Sequence, residues 1–130
     1  MKFSVVVLIL LHIFYFFPFY FTESLMLERD LACLILPSKF EAVHQWRRGI
    51  IPFWDEKLPN GQPLLANPTS SSLYPLLLPL IIHPSAKIFT YLSLFHHLFF
   101  CLGILLFSNL LLKNPYFSLF LSIFLGYNGV

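Results

Sequence analysis

From Ile88 to Leu112 the chain runs for 25 residues without a charged side chain, with Lys87 just before the run and Lys113 just after it. A helix rises about 1.5 Å per residue and the hydrocarbon core of a bilayer is about 30 Å thick, so the run is long enough to cross. The two lysines suit that placement, because their alkyl stems can lie on apolar surface while the ammonium groups reach the interface.

A second uncharged run, Phe3 to Thr22, covers 20 residues between Lys2 and Glu23. As one helix it would just reach about 30 Å, which predicts a second crossing. Pro18 is expected to kink that helix or set its end, since proline removes a backbone donor and crowds the preceding turn. The opening "MKFSVVVLILL" also has the basic start and apolar run of a signal peptide, which needs small residues at its cleavage site. Only Thr22 and Ser24 offer them, and the bulky continuation "HIFYFFPFYF" favours an uncleaved anchor. A processed, secreted product starting after Ser24 is the competing reading.

Composition supports the membrane and limits the rest. The chain is 58% hydrophobic and 11% charged, against about 45–50% and about 25% in ordinary soluble domains. Eleven of the fourteen charged residues lie between Glu23 and Lys57. The net charge of +2 is not gathered into a basic patch, which excludes a nucleic-acid surface. Counts of positive residues beside the two runs are nearly tied, and the amino-terminal charge tips the expectation to both termini cytoplasmic. Phe, Leu, Ser and Pro supply half of the chain, and apart from some serines they are encoded by codons with pyrimidines in the first two positions. Membrane selection explains Phe and Leu but not ten prolines, so a pyrimidine-rich, non-coding reading frame is a further account of this sequence.

The expected fold is an all-α membrane protein: two transmembrane helices joined by a mostly irregular polar loop, with a short C-terminal apolar helix. The segments are an anchor at 1–22, a polar loop at 23–72, a proline-rich interfacial segment at 73–87, the transmembrane helix at 88–112 and an apolar tail at 113–130. Within the loop, Ser38 and Glu41 have capping-box spacing and predict a helix from Ser38 to Arg47. Pro52, Pro59, Pro63 and Pro68 then interrupt, and Asn60-Gly61 reads as a turn. Some 45 residues of this kind bury too little surface to fold as an independent domain. The run "LYPLLLPLII" is too short and too broken to span, and Tyr116 to Tyr127 suits a half-depth return or an interfacial helix.

Two adjacent histidines and a cysteine interrupt the strongest apolar run. Consecutive residues on a helix point 100° apart, so His96 and His97 cannot serve one metal together. His97 and Cys101 share a face, and His12 is available as a third ligand, which makes these three the candidate metal or haem site. Thr90, Ser93, His97, Cys101 and Ser108 fall within an arc of about 80°, a small and polar stripe of the kind used in helix packing. Packing is the favoured reading of that stripe, since a metal site also needs converging ligands and outer-shell partners.

The stretch "HQWRRGIIPFWDEK" admits a dibasic processing site at Arg47-Arg48, or Trp46 and Trp54 at a membrane interface, or an ordinary solvated loop, which is favoured. Asp55-Glu56 has no partner for acid-base catalysis, and His44 reads as a loop residue. Cys33 and Cys101 lie in different environments and predict no disulfide. Asp30 removes the lipoprotein reading of Cys33. Asn67 precedes a proline and is not a glycosylation acceptor, and no phosphate loop or nucleophile elbow occurs. The expectation is a non-catalytic membrane protein without a cofactor. Its partners would be the lipid bilayer and, through helix association, a second copy or another membrane protein.

Overall fold

In the computed structural model, which describes residues 1–57 and 60–128, the long uncharged run is one unbroken helix, α5 (Ala86–Leu112). Its N-terminus is capped by Ser85, whose Oγ accepts the Ile88 amide at 3.1 Å. At 27 residues it is roughly 40 Å long. Among the described residues it is the one helix long and apolar enough to cross a membrane. Only 22% of its most apolar 18-residue window is buried, whereas the core helix of a soluble protein is largely covered. The chain as a whole is 67% helical with little sheet, so the all-α expectation holds.

The first apolar run differs from its expectation. It forms two pieces, α1 (Lys2–Tyr15) and α2 (Phe17–Phe21), neither of which crosses by length. The break falls at Phe16, with φ −97° and ψ 20°. Pro18 causes it, because the ring has no amide to offer and presses on the carbonyl four residues back, that of Phe14. Bonds from the Phe16 amide to His12 O at 3.0 Å and from the Tyr20 amide to Phe16 O at 3.2 Å carry the chain through.

After α5, Lys113 takes a left-handed φ of +52° and turns the chain. Asn114 then caps α6 (Pro115–Tyr127), its side chain accepting from the Tyr116 and Phe117 amides. Pro115 occupies the first helical position, where no amide is needed.

The described chain divides into two compact units. One comprises 1–24 and 91–130. Within it Ser4 Oγ donates to Pro115 O at 3.2 Å, while His12 lies beside Tyr127, so α1 and α6 run in the same direction. α5 runs against both, with His97 at Gly126 and Cys101 at Ser122. The buried residues of α1 are Ser4, Leu8 and His12, and those of α6 are Ser118, Ser122 and Gly126. Each set recurs every four residues and so forms one face. Leu8, Cys101 and Leu105 make the core, with Val5, Leu102, Leu119, Ile123 and Tyr127 packed around them.

The other unit is 25–90. A π-helical turn at Leu31–Ile35 leads directly into α3 (Leu36–Arg47), so the helix starts before the expected Ser38 and the capping box does not form. Ser38 Oγ instead donates back to Leu34 O at 2.9 Å. Glu41 pairs with Lys57 and accepts from Gln45 Nε2. A two-stranded antiparallel sheet follows, β1 (Trp54–Asp55) against β2 (Gln62–Pro63). Asn60 and Gly61 both adopt left-handed φ at the expected turn, whereas Pro59 lies outside the described residues.

Ser70 to Ser72 gather the next bonds of this unit. Ser70 Oγ donates to Leu64 O at 2.6 Å, Trp46 Nε1 to Ser72 O at 2.9 Å and Lys39 Nζ to Ser71 Oγ at 2.6 Å. Burial pushes the Lys39 amine below its ordinary value. The proline-rich segment forms a 3-10 turn at Pro75–Leu77 and a short α4 (Leu78–Ile82).

Burial pushes the Glu41 carboxyl up, but hydrogen bonds from Lys57 and Gln45 and the lysine charge outweigh it, and the net shift is below the ordinary 4.5. A lowered carboxyl stabilises the fold above its unfolded pKa, and the contribution is lost as pH falls through the lower folded value. Acidification below about pH 4 should therefore weaken the tie between α3 and Lys57 by up to about 1 kcal/mol, as for partly exposed pairs. Both tryptophans lie in this unit, so near-ultraviolet circular dichroism checks it. The wild type should lose signal on acid titration, and Glu41→Gln should remove that dependence.

Candidate functional site

α1 and α5 bring His12 and His97 together, with Nδ1 to Nδ1 at 3.3 Å. His12 is fully buried and His97 partly so. The partners fix the protons. Gly126 O can only accept, so His97 Nε2, at 2.9 Å, carries a hydrogen, and in the neutral ring His97 Nδ1 is an acceptor. His12 Nδ1 must then donate, which leaves His12 Nε2 to accept from Tyr20 Oη at 3.1 Å. The result is one directed chain of hydrogen bonds from Tyr20 through His12 and His97 to the α6 backbone.

Two further groups compete for the same nitrogens. Tyr127 Oη is 3.3 Å from His12 Nδ1, and Cys101 Sγ is 3.8 Å from His97 Nδ1. Aromatic rings close the surroundings: Phe16 meets His12 at 4.9 Å and His97 edge-on at 5.1 Å, and Tyr127 meets His97 edge-on at 5.0 Å. Polar rings in such a setting are tolerable only when their nitrogens are paired, because an unpaired buried polar group costs about 1–3 kcal/mol.

A small side chain on α6 makes the approach possible. A Cβ added at Gly126 would collide with Cys101 Sγ and lie 3.7 Å from Cys101 Cβ. One turn earlier Ser122 Oγ donates to Cys101 O at 2.6 Å. The serine replaces bulk with a hydrogen bond at the closest part of the contact.

The residues singled out in the sequence meet different fates. His97 and Cys101 face α1 and α6, whereas Ser108 Oγ turns to its own helix at Ile104 O, 2.6 Å away. Thr90 is buried, donating to Ala86 O and accepting from the Met26 amide, both at 3.1 Å. Ser93 is half-buried. His96 points elsewhere, its Nδ1 donating to Leu92 O at 2.5 Å, as the 100° step requires. His12, His97 and Cys101 are neighbours, but His97 Nδ1 is the shared hydrogen-bond partner of the other two. Among the described residues, no group of three or more His, Cys, Asp or Glu is arranged to hold a metal ion.

Ser4, Tyr20, Ser118, Ser122, Gly126 and Tyr127 were not singled out by the sequence reading. The spacing Ser118, Ser122, Gly126 is the small-residue signature of close helix contact, and it was there to be read. The tyrosines carry no comparable signal, because their role depends on how α1 and α6 lie together. No protein-family model, curated protein or solved structure matches this chain.

Gly126→Ala should destabilise the three-helix contact by about 1–3 kcal/mol, the usual range for an overpacked core. Cys101→Ala in the same chain should restore most of that loss by removing the struck sulfur. Denaturant titration of the two variants in detergent micelles checks the pair, and equal destabilisation in both would be inconsistent with the contact.

Proposed function

We propose that the chain is a small integral membrane protein with no catalytic activity of its own, acting as an accessory subunit by helix association. The observation that carries this reading is the distribution of side chains in the helical unit. Small and polar groups face inward, while Phe99, Phe107 and Leu110 stand 69%, 65% and 72% exposed on α5. That is the arrangement for hydrocarbon as the surrounding solvent.

In this reading α1 and α2 together make one crossing and α5 the other. The N-terminal segment is kept rather than removed, since Ser4, Leu8 and His12 supply interior contacts.

The Thr90 to Ser108 stripe is occupied by contacts within the chain, so association falls to another face of α5. His96, Phe99, Phe100, Gly103, Ile104 and Phe107 line a shallow groove there. A Cβ at Gly103 would meet nothing within 4 Å, which leaves room for a partner helix to approach closely. The partner is a second copy or another membrane protein.

The two free cysteines make a test, because Cys33 is exposed and Cys101 is buried. In sealed membranes the protein should resist alkaline extraction, and a soluble maleimide should label Cys33 but not Cys101 until the protein is denatured. Release into the supernatant, or ready labelling of Cys101, would reject the membrane reading. A photo-crosslinker at Phe107, in the same groove, should capture a membrane-embedded partner, and Gly103→Leu should abolish association without releasing the protein from the membrane.

A further inference from the structure

We infer that the loop from Arg47 to Trp54 is a second, peripheral membrane contact whose occupant is the interface of a phospholipid bilayer. This rests on the integral-membrane reading only in that α5 keeps the chain at a membrane.

The loop carries four large apolar side chains that the fold leaves uncovered. Ile50 is 46%, Ile51 47%, Phe53 60% and Trp54 49% exposed. They are not the surface of a slack segment, because the backbone beneath them is tied down at several points. Gly49 takes φ +71° to leave α3, and the Ile50 amide returns to Gln45 O at 3.0 Å. The Phe53 amide closes on Ile51 O at 2.8 Å around the buried Pro52. The Leu64 amide reaches Phe53 O at 2.9 Å, and Gln45 Nε2 reaches Trp54 O at 2.8 Å. Gly61, with φ +64°, lies directly against the Trp54 indole, and a Cβ there would strike the ring. The fold therefore ties the loop's backbone at the Ile50 and Phe53 amides and at the Ile51, Phe53 and Trp54 carbonyls, and presents its apolar side chains outward. That combination suits the interfacial zone of a bilayer, where large apolar and aromatic side chains enter while the remaining backbone groups stay within reach of water.

The charge around the loop selects the occupant. Arg48 lines the same open cleft, about 490 Å³, as Ile50, Ile51, Phe53 and Trp54. Glu41 also borders it but is neutralised by Lys57, and Glu56 supplies one exposed carboxylate. Among the described residues neither Arg47 nor Arg48 makes an ion pair. Two unpaired guanidinium groups beside an Ile-Ile-Phe-Trp surface match a plane of phosphates above acyl chains, with tryptophan at the boundary. Because α5 holds the chain at the bilayer, the contact is intramolecular and needs no high intrinsic affinity.

The test uses the full chain reconstituted in phosphatidylcholine bilayers, with Trp46→Phe leaving Trp54 as the sole tryptophan. Acyl chains brominated near the glycerol end should quench Trp54 at least two-fold, and aqueous iodide should quench it weakly. Phe53→Asp should reverse that order, and Arg47→Gln with Arg48→Gln should reduce the lipid quenching. A bimane probe at Ile51→Cys, in a Cys33→Ser chain that keeps Trp46, gives the same reading if Trp46→Phe disturbs the fold.

A control separates the two levels of the account. Leu110→Trp, at an exposed position near the end of α5 and outside the partner groove, in a chain with both native tryptophans replaced by Phe, reports on α5. Quenching of the α5 probe with an iodide-accessible loop would overturn the loop proposal and leave the membrane reading standing. Iodide access at both positions would overturn both.

Discussion

The hydrogen bond from His97 to the carbonyl of Gly126 exists only because no side chain stands between α5 and α6 at that point. The rest of the helical unit depends on that close approach. With the carbonyl in reach, His97 must present its other nitrogen as an acceptor, which fixes the proton on His12 and so the role of Tyr20. Ser122 and Ser4 add bonds along the same contact, at Cys101 O and Pro115 O. In hydrocarbon there is little to gain from pressing apolar surfaces together, so close packing and internal hydrogen bonds are what remain to hold helices in register. Of the two histidines that interrupt the apolar run, His97 serves that purpose, bonded to His12 on α1 and to Gly126 on α6, while His96 bonds to Leu92 O of its own helix.

The second unit solves a different problem. Residues 25–90 have few large buried side chains, Leu64, Leu77 and Leu80 among them, and rely on specific polar ties. Lys39, Trp46 and Ser70 each reach a loop carbonyl or hydroxyl, and the Glu41–Lys57 pair joins α3 to the end of β1. Apolar side chains left out of this network, Phe53, Trp54, Leu73, Leu78 and Ile82 among them, face outward. An exposed apolar surface of that sort marks an interaction site.

Much of the helical part was legible in the sequence. Lys87 and Lys113 bracketed α5 to within two residues, because the uncharged run between them is long enough for one unbroken apolar helix. The helical spacing of His97 and Cys101 correctly put them on one face, and Pro18 signalled the interrupted first helix. The partner of that face was not legible, since pairing with α1 and α6 is a long-range outcome with no local signature beyond the serine and glycine spacing. The polar segment was read least well. Ser38 and Glu41 had the right spacing for a cap, but the preceding Leu31–Ile35 already formed a helical turn, and each side chain found a different partner. Such competition between local and tertiary bonds is invisible when residues are read in order.

The central claim is that α6 lies against α5 at Gly126 and Cys101, and a cross-link tests it directly. The 3.7 Å between Cys101 Cβ and the Cβ that Gly126 lacks is close to the mean spacing of about 3.8 Å across a disulfide. In a Cys33→Ser chain carrying Gly126→Cys, oxidised in native membranes, the account predicts an intramolecular disulfide. Mass spectrometry would show it as a chain two hydrogens lighter that takes up no alkylating reagent until reduced. Two freely alkylated thiols, or a disulfide only between separate chains, would contradict it.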